Sequence, residues 1–252
     1  VRMPSAAYLG RLNKLDSTYY YYNRLAAEMK DLGINFNFAP VVDLSLNIEN
    51  KVIFKVDRSF SVSPSIVSQH AMACIRAHRD NGIHTILKHF PGHGSSTSDS
   101  HLGVVDVSNT WQKEELLPYR NLIQANYCDA IMTAHIINRN WDSTLVPATL
   151  SQKVIGGLLR ADLNYNGVVF SDDMQMNAIS KAYGLLERDG VLERHRGQTL
   201  VVRALHADDV ETKKLDQLRH SLTGAAGVAR QLGLSPAKAV RVLREVLDQA
   251  QP

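Results

Sequence analysis

An α/β fold built on a parallel sheet is what this sequence predicts, and three observations carry the prediction. Short apolar runs alternate with helix-like segments, the pattern of strands joined by crossover helices. The runs end in polar residues, at Asp43, at Lys88 with His89, at His135 and at Asp172. Those are carboxyl ends of strands, the rim where a (β/α) barrel and an open parallel sheet alike gather an active site. A hydrophobic fraction of 44% over 252 residues is enough for a substantial core.

The elements follow in chain order. Asp16, Ser17 and Thr18 offer N-caps to a helix that runs through Leu25, Ala26 and Met29 and stops at Gly33. Ile34 to Asp43 alternates and then turns apolar, as a buried strand does. After a loop carrying Asp57-Arg58-Ser59-Phe60, Ser63-Pro64 opens a helix that ends at Gly82. Ile83 to Lys88 is the next strand, Lys113 to Ala125 a helix, and Ala130 to Ala134 a strand that delivers His135. Ser151 caps a short helix, Asn166-Gly167 turns the chain, and Val168 to Ser171 runs into Asp172-Asp173.

Composition narrows the function. A formal charge of +3 is too weak to imply nucleic acid or an anionic membrane as partner. No apolar run is long enough to span a bilayer, and the first residues lack a signal-peptide pattern. With Cys74 and Cys128 few and far apart, a cytoplasmic protein with buried thiols is expected rather than a disulfide scaffold. Val1 in place of an initiator Met suggests a processed chain or a fragment.

The densest chemistry lies in residues 88–101, K-H-F-P-G-H-G-S-S-T-S-D-S-H. Here a strand end opens into a loop with three histidines, a lysine and an aspartate, and Gly92 and Gly94 let the backbone fold back on itself. His89, His93 and His101 could be drawn as zinc ligands. No helical H-E-x-x-H pattern is present, however, and a Gly-rich loop does not fix their geometry, so no metal is expected.

These residues also carry a resemblance. I-N-F-N-F-A-P-V-V-D-L, D-R-S-F, K-H-F-P-G-H-G followed by D-S-H, M-T-A-H-I and V-V-F-S-D-D-M-Q-M are similar, in order and spacing, to the strand-end motifs of family 3 glycoside hydrolases. Within that family they resemble the β-N-acetylglucosaminidase branch, over about residues 1–184. The resemblance implies a (β/α) TIM-type barrel, which periodicity alone does not choose over an open sheet. It places Val1 after the family's second strand and loses its last strands after Gly184, so an incomplete barrel is expected. Residues 185–252 shift toward Leu, Ala, Arg and Val and form a second, mainly helical region.

By resemblance the activity is that of a retaining exo-β-N-acetylglucosaminidase acting on cell-wall muropeptides or chitin-type oligosaccharides, without a cofactor. Asp172 matches the nucleophile, His101 the acid/base and Asp99 the residue that orients it. An imidazole suits that double duty because its unperturbed pKa of about 6.5 lies near working pH. Asp43, Arg58, Lys88 and His89 match contacts to the first sugar, Asp173 is read as a neighbour setting local hydrogen bonds, and His93 as a shaper of the loop. His135 matches too, without an assigned role. The alternative is an inactive sugar-binding or regulatory protein derived from such an enzyme, since lost strands expose sheet edges. A homodimer or the tail would then cover those edges.

In the tail, Thr199 to Val202 reads as a strand, Asp208 to Leu222 as a helix, and Ser235-Pro236 starts another. G-V-A-R-Q-L-G-L-S-P-A-K-A-V-R-V-L has the outline of a helix-turn-helix. A helical hairpin packed on the sheet is the ordinary reading. DNA binding is the lesser one, with Arg241 and Arg244 as its first phosphate contacts.

Overall fold

The computed structural model describes residues 2–97, 105–176, 192–193, 201–202, 215, 219 and 222–249. The chain divides into two compact units, Val1–Leu185 and Leu186–Pro252. The first contains the parallel strands β1 (Phe36–Asn37), β2 (His84–Phe90), β3 (Val105–Asp106), β4 (Ala130–Thr133), β5 (Ile136–Ile137) and β6 (Val168–Ser171). A four-stranded sheet runs β1-β2-β4-β6, and β3 pairs separately with β5.

Strand order settles what periodicity leaves open. A doubly wound sheet reverses its order at a switch point, whereas a barrel wall adds strands in sequence. Here the main strands follow their chain order and every pairing is parallel, with Phe36 beside His84, Ile86 beside Ala130, and Ala130 beside Val168. The wall has two apolar faces, because successive side chains of a strand point oppositely. Leu87 and Ile131 join the main core with Val67, Ala71 and Ile75 of α3 (Pro64–Arg79) and Leu122 of α4 (Leu117–Gln124). Ile86, Ala130 and Met132 form a second cluster with Phe36 and Phe170. Lys88, two residues after Ile86, lies at the rim of this wall.

Several elements differ from expectation for identifiable reasons. A helix over Ala6–Leu12, α1, is not anticipated; Ser5 caps it by accepting the Tyr8 N–H at 3.2 Å. The next helix, α2, begins at Leu15, so Asp16, Ser17 and Thr18 lie inside it. Thr18 is buried, and its hydroxyl meets His70 Nδ1 at 2.7 Å instead of capping. The strand expected over Ile34 to Asp43 is regular only at Phe36–Asn37, with one further bridge from Val41 to Lys88. Pro40 interrupts it, having no N–H to donate, although its carbonyl accepts from Lys88 at 3.3 Å. The helix expected over Lys113 to Ala125 is a 3₁₀ turn, Lys113–Leu116, followed by α4, with Pro118 in the first turn of α4. Ser151 accepts the Val154 N–H at 3.2 Å, but the helix that follows, Lys153–Asp162, is π-type rather than α.

In the second unit, Leu192–Glu193 pairs antiparallel with Val201–Val202. The helix expected over Asp208 to Leu222 falls mostly outside the described residues. A helix of residues 222–231, a turn with Gly233 at φ 65, and the helix Pro236–Gln249 form a hairpin. Its apolar seam is lined by Leu222, Ala226, Ala239 and Leu243, while Arg241 and Arg244 are exposed. Among the described residues no helix is long and apolar enough to cross a membrane.

Candidate active site

The site starts from an irregularity in β2. Its register against β4 shifts between Leu87 and Phe90, so Lys88 and His89 leave the plain alternation of the strand. Such irregularities re-aim side chains at functional rims. The Lys88–His89 and Phe90–Pro91 peptides are cis, and the chain then turns through Gly92 at φ 120.

Asp43 organises this turn from beneath. It is 1% exposed, and its carboxylate accepts the His93 N–H at 2.8 Å, the His89 N–H at 3.3 Å and His89 Nδ1 at 2.6 Å. Burial opposes ionisation of this carboxyl, but its interactions with His89 and His93 outweigh that and hold its pKa below the usual range. Arg58 approaches His89 from the other ring nitrogen, with Nη2 3.1 Å from Nε2, and donates through Nη1 to the Val52 carbonyl at 3.0 Å. A guanidinium only donates. His89 Nε2 is therefore the acceptor, and Nδ1 carries the proton given to Asp43. Arg58, His89 and Asp43 form one chain of hydrogen bonds whose direction is fixed.

Lys88 shares the electrostatics of both sides of the rim. Burial and the charge of Arg58 lower its pKa, while the charges of Asp172 and Asp43 pull it back up. Asp172 follows the end of β6. Its backbone N–H donates to the Thr133 carbonyl at 3.2 Å, and its Oδ1 accepts the Asp173 N–H at 2.8 Å. His135 fixes this corner, since a carbonyl only accepts and Nε2 therefore donates to the Asp173 carbonyl at 3.0 Å. Burial lowers the His135 pKa, against the opposing effects of Asp173 and Asp172. Sequence reasoning finds His135 by its strand-end position; its contact with the Asp172-Asp173 corner comes from the structure.

Of the residues named from sequence, Asp43, Arg58, Lys88, His89 and Asp172 thus belong to one rim. Asp99 and His101 lie outside the described residues. His93 is 3% exposed; its Nδ1 meets the Ser96 hydroxyl at 2.6 Å, so it holds the loop in shape. Two buried residues of the same network escape the motifs. Asn50 donates to the carbonyls of His93 at 2.8 Å and Gly94 at 3.2 Å. Glu115 accepts the Gly94 N–H at 2.9 Å. The only local signal for Glu115 is its spacing from Gln112, with which it forms a capping box. Among the described residues no group of His, Cys, Asp or Glu is placed to hold a metal ion. A cavity of about 370 Å³ lined by Arg11, Asp57 and Phe60 lies against α1, and none of the rim residues lines it.

Sequentially ordered parallel strands with polar groups gathered at their carboxyl ends define the class, a (β/α)-barrel protein. The model of the glycosyl hydrolase family 3 N-terminal domain matches residues 1–202, past the last recognisable motif and through the strands Leu192–Glu193 and Val201–Val202. The chain belongs to glycosyl hydrolase family 3, and among the described residues its four-stranded wall forms part of a TIM-type barrel. Over 169 residues it is 39% identical to a beta-hexosaminidase A from Pseudoalteromonas piscicida, covering 62% of this chain and 28% of that protein. Over 167 residues it is 41% identical to a beta-hexosaminidase from Tolumonas auensis, covering 65% and 48%. The solved structure of a family 3 β-N-acetylglucosaminidase from a Paenibacillus strain matches with a TM-score of 0.69 at 38% identity, over 75% of this chain and 36% of that one. The chain therefore spans between 28% and 48% of the length of these relatives.

Proposed function

We propose that this chain carries the sugar-binding and catalytic rim of a retaining exo-β-N-acetylglucosaminidase that removes terminal N-acetylglucosamine from cell-wall or chitin-type oligosaccharides, muropeptides included. The observation that carries the reading is the hydrogen-bonded chain Arg58–His89–Asp43 at the end of β2, in the same parallel wall whose strand β6 runs into Asp172. A sugar bound there meets cationic donors on one side and a carboxylate on the other. Arg58, Lys88 and His89 hold its hydroxyls and N-acetyl group. Asp43, with its side chain fully buried, sets His89 and through it Arg58.

In the first step a carboxylate oxygen of Asp172 bonds to the anomeric carbon as the glycosidic bond breaks, and His101, oriented by Asp99, gives its proton to the leaving oxygen. In the second, His101 takes a proton from water, whose oxygen displaces Asp172 from the anomeric carbon. The assignments of Asp99 and His101 rest on the D-S-H motif.

The test is release of p-nitrophenol from its N-acetyl-β-glucosaminide by the full chain and by Asp172→Ala. Turnover falling by about 10³-fold or more in the variant is expected. Turnover no greater than the variant's would defeat the enzyme reading. Retained binding of N-acetylglucosamine would then support an inactive sugar-binding protein, the reading favoured by Phe38 at 52% and Val168 at 58% exposure on the wall. His101→Ala should lose more rate on substrates with poor leaving groups than on activated ones, and equal losses would argue against a proton donor.

A further inference from the structure

Under the loop that leaves β2 lies a carboxylate to which the mechanism above gives no part. Glu115 is 1% exposed. Its Oε2 accepts the Gly94 N–H at 2.9 Å and the Ser95 N–H at 3.3 Å, and its Oε1 accepts the Gln112 N–H at 3.3 Å. The preceding amide, that of His93, ends on Asp43 at 2.8 Å. Three successive N–H groups of one loop therefore terminate on two buried carboxylates. The fit is close: a Cβ added at Gly92 would fall 2.6 Å from Glu115 Cβ.

We propose that Glu115 is a positioning residue of this site, fixing the backbone of residues 93–95 between His89 and the segment that carries Asp99 and His101. Its catalytic consequence rests on the function proposed above; its hold on the loop does not. A carboxylate suits the place because both oxygens face donors, whereas an amide would turn an NH₂ toward one of them. The ionisable groups whose charges bear on it are Asp43 and Tyr119. Burial above all, with the charge of Asp43 adding, pushes its pKa up to about 7 against the hydrogen bonds from Ser95, Gln112 and Gly94. Ionising this buried carboxyl therefore weakens the closed loop relative to the open one as pH rises through neutrality.

The experiment is amide hydrogen exchange, read by mass spectrometry, on the full chain and on Glu115→Gln, together with kinetics on p-nitrophenyl N-acetyl-β-glucosaminide. Exchange within residues 92–97 should rise by about 10-fold or more in the variant while β4 and β6 keep their protection. The rate constant kcat should fall by about 100-fold with KM changed less than about threefold. In the unsubstituted chain, protection of the same residues, corrected for intrinsic exchange, should decrease from about pH 6 to about pH 8, because ionising Glu115 costs more in the closed loop than in the open one. Unchanged exchange at 92–97 in the variant, or exchange raised equally in every strand, overturns the proposal. Should the variant not fold, the pH dependence in the unsubstituted chain decides, and its absence overturns the proposal. If the unsubstituted chain turns over no substrate, the enzyme reading fails and the exchange arm still decides the role of Glu115.

Discussion

Asp43 and Glu115 are buried carboxylates in one network, yet their effects on stability have opposite signs with pH. The pKa of Asp43 is lowered in the folded chain, so its contribution is present above the unfolded value of about 3.9 and is lost as pH falls through the folded one. Asp43→Asn should lower stability by about 3 kcal/mol near neutral pH, because it leaves buried donors facing an NH₂. It should also flatten the acid limb of urea-unfolding midpoints measured below about pH 4. For Glu115 the folded value is raised, from 4.5 to about 7. The stability it favours is present below pH 4.5 and is lost as pH rises through about 7, a change on the order of 3 kcal/mol. Urea midpoints of Glu115→Gln should therefore lack the decline between those values that the unsubstituted chain shows. The motif residues were legible because they cluster at a strand end. Glu115 and Asn50 were not, since what makes them matter is contact with amides and carbonyls far away in sequence.

Among the elements, the amino ends of the strands are held by a different device from the carboxyl-end rim. Asp129 accepts Arg79 Nη2 at 2.7 Å and Nε at 3.1 Å on one oxygen, and the Thr85 N–H at 3.0 Å and hydroxyl at 2.8 Å on the other. This ties the end of α3 to the starts of β2 and β4. Asp129→Ala should lower the urea midpoint by the equivalent of about 2 kcal/mol, with kcat changed less than about twofold while the chain remains folded. Strand and helix identities were readable from apolar runs and breakers, as at Ser63-Pro64 and Val168 to Ser171. Boundaries failed where tertiary contacts override local signals. Thr18 abandons a cap to meet His70, and Pro40 interrupts what alternation alone presents as a continuous strand.

For the whole molecule, the parallel α/β class was legible from alternation, but the barrel needed strand order, which periodicity does not contain. In that order, β1-β2-β4-β6, Asp43 follows β1, Lys88 lies near the end of β2 and Asp172 follows β6, all at the carboxyl edge of one wall. Asp172 is the proposed nucleophile on that edge. Peptide mapping by mass spectrometry, after the full chain is incubated with a slow fluorinated N-acetyl-β-glucosaminide, tests that role. One N-acetylhexosaminyl adduct is expected on the peptide containing Asp172, absent from Asp172→Ala. An adduct on another residue, or a chain that releases the leaving group yet never carries the sugar, would contradict it.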